Sequence, residues 1–403
     1  MKVDFLFLVE HEDRELSVVK EICKLLRNKG FSSVVLSAEF HCHLFRCYKP
    51  QCVVFPYATD SDNWLVKFFS AKKDSPAFVT LNWEQLLSNA NKAFKRPRGE
   101  LIQKHFYHLA WSDDFKSFLV ESGVAKENVE VLGNPAVELL YRACQNNEYW
   151  NGKLRDSYYI AKDKKIVFLP MNYGWAFFSD GKIKAKIEMG YDKNVAWEYR
   201  DYSQKCLKAF VGFIHEVSKN TSLHLVIRPH PSISIEQYFE IFDNQGHDIR
   251  KVNNITLTKE YTIKEWIAAS DVVGSSWSTS VWDAVCIGKN GFLYTPYDRP
   301  KWLETSWNNK VPNIDKAEDV EQVMSASLEP EVAPDTIIGF ISEWLVDISL
   351  KGVHAELKSK NEARLIGYLV RSRLRDISMK YLGGYKIQKG LQRDYFEPIE
   401  YLS

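Results

Sequence analysis

Two groups of polar residues carry the clearest chemical signal in this sequence. The first is Arg228-Pro229-His230-Pro231, which directly follows the apolar run 223–227. Because two prolines interrupt the hydrogen-bond ladder of a strand, the chain must leave the sheet where the arginine and the histidine stand. Arginine forks onto a phosphate or carboxylate, and histidine donates to a phosphate oxygen or accepts a proton. The alternative interpretation is a rigid strand exit with a capping histidine.

The second group follows the short apolar run after Asp271 and leads into a helical pattern. Hydroxyl side chains at a helix N-terminus lie beside free backbone N–H groups, where the helix dipole favours an anion. We predict that Ser275 and Ser276 clamp a phosphate; the alternative is N-capping, which needs only one hydroxyl. Asp283, further along the helix, is a candidate acceptor for a ribose hydroxyl, or else a solvated acid. Ser278 and Thr279 complete the predicted donor-binding group.

Two loop acids are candidate catalytic residues. Glu84 follows the apolar run 77–81, and Asp180 lies in the loop 171–181. Such a carboxylate removes a proton from a hydroxyl or attacks an electrophilic carbon, and we rank Glu84 first as the base. The alternatives are a helix cap over 83–90 for Glu84 and a turn for Asp180. The loop 171–181 also holds the candidate donor-binding residues Asn172, Tyr173 and Gly174.

The sequence does not require a metal. Asp60-Ser61-Asp62 has the form of a metal-binding DxD, but an N-cap before a helix over 63–72 is the favoured interpretation. His41-Cys42-His43 with Cys47 matches no zinc spacing. The seven cysteines are scattered, which is typical of reduced and mostly buried thiols. We therefore predict neither metal nor cofactor.

Alternating strand and helix patterns must position these residues. Short β-rich runs separated by helix-length segments fill the first 135 residues and resume near residue 164. Runs of this kind indicate parallel strands buried on both faces, and hence two doubly wound, Rossmann-like α/β domains. We place them at 1–150 and 151–345, with C-terminal helices at 346–403 that cross back to the first domain. Ligands of such sheets bind at the carboxyl ends of the strands, so we expect the site in an interdomain cleft.

Composition excludes several classes of protein. The 403 residues are 45% hydrophobic, and 53 Lys+Arg against 52 Asp+Glu give a formal charge of +1, which argues against nucleic acid as a partner. No apolar run is long enough to cross a bilayer, and the opening residues are too acidic for a signal peptide. We therefore expect a cytoplasmic protein.

The C-terminal tail from Lys358 to Arg393 is rich in lysine and arginine. Apolar residues at Leu365, Ile366, Leu369 and Val370 make part of it an amphipathic basic helix. Such a helix suits an anionic membrane surface, which predicts peripheral association with the inner membrane. The alternative is a solvated helix that packs on the first domain.

Taken together, the two polar groups resemble the C-terminal half of GT-B glycosyltransferases that build bacterial surface polysaccharides. In the bacterial sialyltransferases and the β-Kdo transferases, an HP motif and an SS or ST motif hold CMP, and these correspond to His230-Pro231 and Ser275-Ser276. Gly133-Asn134-Pro135 also resembles surface carbohydrate biosynthesis proteins. The resemblance implies transfer of an acidic sugar, Kdo or a sialic-acid relative, from a CMP donor. The acceptor would be an oligosaccharide or lipid-linked glycan of capsule or lipopolysaccharide O-antigen.

The sequence departs from these families at their catalytic acids. It lacks the acidic pair of the sialyltransferases in the first domain, and Asn172-Tyr173-Gly174-Trp175 replaces the acidic loop of the β-Kdo transferases. Several alternatives therefore stay open. They are a CDP-polyol phosphotransferase, a UDP- or GDP-sugar transferase, an epimerase or phosphorylase of the same fold, and a noncatalytic glycan- or nucleotide-binding subunit.

Overall fold

The computed structural model describes residues 1–70, 75–230, 232–326, 336–351 and 362–402. Pro231 and Lys358, which the sequence analysis singled out, lie outside these ranges. The chain divides into two compact units. The first comprises Met1–Leu86, Ala93–Glu138 and Thr336–Ser403, and the second comprises Leu87–Lys92 and Leu139–Asp335.

Strands and helices alternate along both units, as the sequence predicts. The strands of the described residues are β1 (Lys2–Val9), β2 (Ser33–Ser37), β3 (Lys49–Phe55), β4 (Ala77–Thr80), β5 (Phe106–Ala110), β6 (Val129–Val131), β7 (Lys165–Pro170), β8 (Leu223–Arg228), β9 (Ile255–Leu257), β10 (Val272–Ser275), β11 (Asn290–Tyr294), β12 (Asn313–Ile314) and β13 (Ile399–Tyr401). The α-helices are α1 (Ser17–Asn28), α2 (Trp64–Ser70), α3 (Lys92–Lys95), α4 (Glu100–His105), α5 (Asp113–Glu121), α6 (Pro135–Gln145), α7 (Asn147–Tyr158), α8 (Asp180–Glu188), α9 (Lys193–Ser218), α10 (Ile235–Asp243), α11 (Ile263–Ala269), α12 (Thr279–Cys286), α13 (Asp319–Ser325), α14 (Ile337–Lys351), α15 (Glu362–Leu382) and α16 (Lys389–Gln392). A π-helical segment spans Glu12–Leu16, and 3-10 turns include Cys42–Cys47 and Gly174–Phe177.

The sheet of the first unit has the order β13-β2-β1-β3-β4-β5-β6. Its strands pair in parallel except β13, which runs antiparallel to β2 and closes that edge. Continuous apolar runs such as β1 are buried on both faces, and phenylalanines including Phe55, Phe78 and Phe106 fill the core beneath helices. The strand order reverses between β1 and β3, which makes the carboxyl ends of these two strands the switch point of the sheet.

The sheet of the second unit has the order β12-β11-β10-β7-β8-β9. Its strand pairs are parallel, and counted from β7 they follow the Rossmann order 3-2-1-4-5-6. The long helix α9 packs its apolar face, including Phe210 and Ile214, against the buried strands. Two parallel α/β units of this kind confirm the predicted fold class.

Several local predictions differ from the structure. No helix forms over residues 83–90. Asn82 takes a left-handed conformation with φ of 51°, and the Lys95 ammonium donates to the carbonyls of Glu84 and Leu86, which a helix would otherwise use. The predicted cap of α2 is also displaced, because Asn63 accepts from the Leu65 N–H at 2.9 Å while Asp60 only closes the preceding turn.

Three further expectations concern the state of the cysteines, bilayer-crossing helices and metal ligands. All seven cysteines are free thiols, and five of them are buried, as expected. Within the described ranges, no helix combines the length and the apolar character that a bilayer crossing needs. In the same part of the chain, no three His, Cys, Asp or Glu side chains are grouped as metal ligands would be, and this includes His41, His43 and Cys47.

Candidate functional site

The candidate site lies at the switch point of the second sheet. The strand order reverses between β7 and β10, and Rossmann-type sheets bind ligands outside the carboxyl ends of such neighbours. The predicted residues Asn172, Tyr173 and Gly174 follow β7, while Ser275 ends β10 and Ser276 follows it. The topology therefore brings both predicted loops to one edge of one sheet.

Ser275 and Ser276 fasten these two loops together. The Ser275 hydroxyl donates to the Pro170 carbonyl at 2.7 Å and approaches Asn172 Oδ1 at 3.3 Å. The Ser276 hydroxyl makes a short hydrogen bond with the Tyr173 hydroxyl. Both serines are only 2% exposed. Their hydroxyls are thus engaged inside the protein, which differs from the direct phosphate contact expected of them.

Other hydrogen-bond donors at the same edge of the sheet make fewer hydrogen bonds within the protein. The amide nitrogen of Asn172 is buried and has no hydrogen-bond partner among the described residues. Ser278 caps α12 by accepting from the Ser280 N–H at 3.3 Å, and Thr279 at the start of the helix is exposed. The exposed start of α12, rather than the two buried serines, can therefore donate to a ligand, while the buried Asn172 amide lacks a partner.

His230 joins this edge through Gly174. A Cβ added at Gly174 would lie 3.5 Å from His230 Nδ1, so the imidazole packs directly against the loop after β7. His230 Nδ1 accepts from the Ser232 N–H at 3.2 Å and lies 2.8 Å from the Ser232 hydroxyl. An Nδ1 that accepts leaves the proton of the neutral ring on Nε2.

Burial and two nearby lysines, Lys259 and Lys182, lower the pKa of His230 below its usual value. The ring is therefore neutral near pH 7, and its Nε2–H serves as a hydrogen-bond donor. The strand exit that holds it is also anchored, because Arg228 donates to the Glu260 carbonyl at 2.9 Å. The predicted partner Pro231 lies outside the described residues.

Lys182 and Lys259 are functional candidates that the sequence analysis missed. Lys259 comes shortly after β9, and Lys182 lies in the first turn of α8. Both lysines place positive charge near the imidazole, which favours an anionic ligand. The position of Lys259 could have been noticed in the sequence. It follows β9, the strand next to β8, and Arg228 at the end of β8 was already a candidate.

Asp283 on α12 is a partly buried acid. Desolvation raises its pKa from 3.8 to about 7, and Lys264 opposes that shift only in part. No hydrogen bond to its carboxyl is present among the described residues. Its predicted role as an acceptor for a ribose hydroxyl stays a prediction.

The two predicted catalytic acids are each paired with an arginine. Asp180 begins α8 instead of shaping a turn; its side chain is 71% exposed and lies 2.5 Å from Arg200. Glu84 belongs to the first unit and lies 2.5 Å from Arg14. Burial raises the pKa of Glu84, but the charges of Arg14 and Lys95 outweigh burial and hold it below its usual value. The catalytic roles of both acids stay predictions.

Comparison with known proteins gives matches in structure alone. No protein-family model matches the chain, and no curated protein sequence is similar to it. The UDP-GlcNAc 2-epimerase of Neisseria meningitidis, bound to UDP-GlcNAc, is similar with a TM-score of 0.56 at 12% identity, over 86% of this chain and 100% of that one. The wall teichoic acid polymerase TagF, in a histidine variant, is similar with a TM-score of 0.58 at 12% identity, over 87% and 90% of the two chains.

A third similar structure is the UDP-GlcNAc 2-epimerase of Methanocaldococcus jannaschii, in complex with UDP-GlcNAc and UDP. Its TM-score is 0.52 at 12% identity, and the match covers 86% of this chain and 100% of that one. At such low identity the likeness concerns architecture only. The two Rossmann-like units and these three matches together identify the fold of the chain as GT-B.

Proposed function

We propose that this protein is a glycosyltransferase of bacterial surface polysaccharide synthesis that uses a CMP-linked acidic sugar, Kdo or a sialic-acid relative. The observation that carries the proposal is the packing of His230 against Gly174, which brings an Nε2–H donor beside the loop after β7 at the switch point of a Rossmann-type sheet. The CMP preference rests on the resemblance of His230-Pro231 and Ser275-Ser276 to the HP and SS motifs. The acceptor would be an oligosaccharide or a lipid-linked glycan of capsule or lipopolysaccharide O-antigen.

In this proposal the residues of the site have different tasks. The side chains of Arg228, Lys182 and Lys259 offset the phosphate charge that grows as the bond from the anomeric carbon to the phosphate oxygen breaks, and the neutral His230 donates a hydrogen bond to that phosphate. Ser278, Thr279 and the Asn172 amide add hydrogen-bond donors, and Asp283 contacts the ribose. Ser275, Ser276 and Tyr173 hold the two loops in position, while Gly174 leaves space for the imidazole. Glu84 and Asp180 remain the candidate catalytic carboxylates.

A donor with two phosphates is the second candidate. TagF has been soaked with CDPG, and the epimerase structures contain UDP-GlcNAc, so proteins of this fold bind nucleotides larger than CMP. The several cations near His230 would suit a diphosphate as well. This candidate includes a CDP-polyol phosphotransferase, a UDP- or GDP-sugar transferase and an epimerase.

Thermal unfolding with equal concentrations of CMP, CDP, UDP and GDP tests the nucleotide. A ligand present at a hundred times its Kd stabilises the folded state by about 2.7 kcal/mol, and we expect CMP to raise Tm most. H230A removes the proposed charge-assisted hydrogen bond from the imidazole to the phosphate of CMP. That variant should therefore bind CMP at least tenfold more weakly. H247A is the matched control, since His247 lies outside the site and stacks on His215.

Two results would contradict the proposal. One is a larger shift with a diphosphate than with CMP, which would favour the second candidate. The other is CMP binding by H230A that equals wild type. An assay of transfer from CMP-Kdo and CMP-sialic acid to glycan acceptors then decides whether the nucleotide site belongs to a transferase or to a noncatalytic subunit.

Membrane association is a further part of this proposal, and α15 supports it. Ile366, Val370, Leu374, Ile377 and Tyr381 are all exposed, and their spacing of three or four residues places them on one face of the helix. Arg373, which is also exposed, lies beside this apolar stripe, whereas Lys380 pairs with Asp376 and Glu397. On the opposite face, Ser372 and Asp376 are buried against the first unit. A basic amphipathic helix of this kind fits an anionic membrane surface.

A further inference from the structure

A small cavity beside α15 has no part in the nucleotide site. Its volume is about 150 Å³, and every residue that lines it belongs to the first unit. The lining includes an acid, two aromatic rings, a hydroxyl and two arginines, which are Glu39, Trp64, Tyr368, Ser372, Arg371 and Arg375. Pockets that enclose a drug-sized ligand start at about 300 Å³, so this cavity suits one small group rather than a nucleotide or a sugar chain.

Contacts of α15 with two other segments hold the cavity in shape. Trp64, at the start of α2, stacks on Tyr368 of α15 with the ring centroids 4.6 Å apart and the planes 3° apart. The buried Ser372 hydroxyl accepts from the His43 N–H at 3.1 Å, which fixes α15 against the 3-10 turn Cys42–Cys47. The cavity is therefore a preformed feature of the first unit.

The two arginines of the cavity have N–H groups to spare. Arg375 donates to Glu39 through Nη1 alone, so its Nε and Nη2 groups have no partner among the described residues. Arg371 is exposed and makes no hydrogen bond within the described ranges; its guanidinium lies 5.9 Å from the centre of the Tyr368 ring. Two guanidinium groups against one carboxylate give the cavity a net positive charge. Forked donors of this kind match the oxygens of a phosphate.

The rim of the cavity adjoins the apolar stripe of α15. Arg371 and Leu374 are three residues apart, which makes them neighbours on the helix surface. Leu374 belongs to the exposed stripe that fits a membrane surface. Tyr368, which is also exposed, forms with Trp64 an aromatic pair of the kind that is enriched at the level of lipid headgroups. When the stripe contacts a bilayer, Arg371 therefore lies near the lipid phosphates.

We propose that this cavity binds the phosphate of an anionic phospholipid headgroup. This inference rests on the membrane association that the proposed function includes. The phosphate oxygens accept from the free N–H groups of Arg371 and Arg375. The apolar stripe and the basic residues of α15 provide attraction to any anionic bilayer, whereas the cavity provides recognition of the phosphate itself.

Variants that conserve charge separate a phosphate pocket from general attraction. R371K and R375K keep the charge but lose the planar fork, and R373K makes the same change at an exposed arginine outside the cavity. In sedimentation with vesicles of phosphatidylcholine and phosphatidylglycerol, R371K and R375K should bind about tenfold more weakly than wild type, as expected for one lost charge-assisted hydrogen bond. R373K should bind like wild type. Equal affinity of all three variants would overturn the proposal.

E39Q is the control for the ion pair that R375K disturbs. It releases Arg375 from Glu39 and removes the carboxylate that repels a phosphate, so E39Q should bind these vesicles at least as tightly as wild type. A loss in E39Q as large as that in R375K would show that the ion pair only anchors the helix, which would overturn the proposal.

Soluble glycerol 3-phosphate distinguishes a lipid from a free phosphate compound. Because the apolar stripe and the cavity engage a bilayer together, the soluble compound should bind at least a hundredfold more weakly than the vesicles. Isothermal titration calorimetry with wild type and R371K measures this affinity. Binding of glycerol 3-phosphate as tight as that of the vesicles would overturn the assignment to a lipid.

CMP binding by the same variants keeps this inference distinct from the proposed function. R371K and R375K should bind CMP like wild type, because the nucleotide residues belong to the second unit. Vesicle binding by R371K that equals wild type would overturn the phosphate pocket alone. Absence of CMP binding by wild type would refute the proposed transferase and leave the pocket in place, whereas absence of vesicle binding by wild type would refute both membrane association and the pocket.

Discussion

At the scale of single residues, the hydrogen bond that Ser232 donates to His230 bears on the donor role that we propose for the imidazole. It fixes the tautomer, so that Nε2–H points away from Ser232 as a donor. Burial and the nearby Lys259 and Lys182 keep the ring uncharged, yet the same lysines supply the positive charge that an anion needs. The histidine therefore contributes a hydrogen bond, and the lysines contribute the field.

The Tyr173–Ser276 hydrogen bond should be measurable as a coupling energy. In S276A the Tyr173 hydroxyl stays buried without its partner, which should cost about 1–3 kcal/mol in the free energy of unfolding. Y173F should leave the Ser276 hydroxyl in the same position. Because one bond is lost in either case, the double variant should be less destabilised than the sum of the single variants.

Urea denaturation of the four proteins of this cycle provides the measurement. S325A is the control, since Ser325 is exposed and its loss should change the free energy of unfolding by less than about 0.5 kcal/mol. Additive effects of S276A and Y173F would show that this bond does not join the loops after β7 and β10.

Sequence analysis located residues that act near their own strand ends, and it missed residues that act through distant partners. Arg228, His230 and Ser275 stand beside strands whose apolar runs are plain in the sequence. The charges of Lys182 and Lys259 near His230 depend on how α8 and β9 pack, which no local pattern records. The pairing of Arg375 with Glu39 joins residues that are 336 positions apart, so spacing carries no trace of it.

At the scale of elements, strands were easier to predict than the segments between them. Buried parallel strands need continuous apolar runs, and these are visible in β1, β7 and β8. The helix expected over 83–90 does not form, because the Lys95 ammonium of α3 donates to the carbonyls of Glu84 and Leu86. Tertiary hydrogen bonds of this kind override local helix preference.

The apolar stripe of α15 should determine binding to anionic vesicles. We expect wild type to sediment with vesicles containing phosphatidylglycerol and to be released by salt, since the attraction by basic residues is screened. The triple variant I366Q/V370Q/L374Q removes apolar area that would enter the interface, so its vesicle affinity should fall at least tenfold.

A second pair of variants separates charge from apolar contact. R373S should weaken binding by about fivefold and reduce the salt dependence, because one basic residue near such a surface contributes about 1 kcal/mol. Y159S is the control, since Tyr159 is 96% exposed but lies in the second unit. Equal binding to neutral vesicles, or full binding by the triple variant, would refute membrane docking through α15.

At the scale of the whole molecule, buried histidines should make stability depend on acid. Burial lowers the pKa of His41, His108 and His224 to about 4 in the folded protein, against 6.5 when exposed. A lowered histidine pKa means that the unfolded chain binds more protons below pH 6.5. The folded protein therefore has its full free energy of unfolding above pH 6.5. Part of that free energy is lost as the pH falls from 6.5 toward 4.

Urea denaturation between pH 7 and pH 4.5 should reveal this loss. Three histidines that take up protons only on unfolding give a slope of up to about 4 kcal/mol per pH unit. H224Q keeps a hydrogen-bonding group opposite Thr256 and removes one titrating ring, so its slope should be shallower by about 1.4 kcal/mol per pH unit. A free energy of unfolding that is flat over this range would contradict the neutral burial of these rings.

The number of units and their class followed from the sequence, but the exact residues at which the chain passes from one unit to the other did not. We expected the C-terminal helices of the first domain to begin at residue 346, whereas the returning segment begins at Thr336. Apolar periodicity indicates two α/β units because each buried strand leaves its own signal. The assignment of Thr336–Ser403 to the first unit depends on contacts with residues far earlier in the chain, such as the bond from the Ile338 N–H to Glu138 at 2.6 Å. No local pattern distinguishes a helix that packs there from one that continues the second unit.

The interrupted membership of the first unit has a consequence for biosynthesis. Every residue of the second unit has been synthesised once translation passes Asp335, whereas the first unit still lacks α14, α15 and β13. The unit whose first strand emerges earliest therefore completes its structure last. Until then, the apolar surface beneath α14, whose Ile338, Ile341 and Leu345 are fully buried in the finished fold, remains open to chaperones.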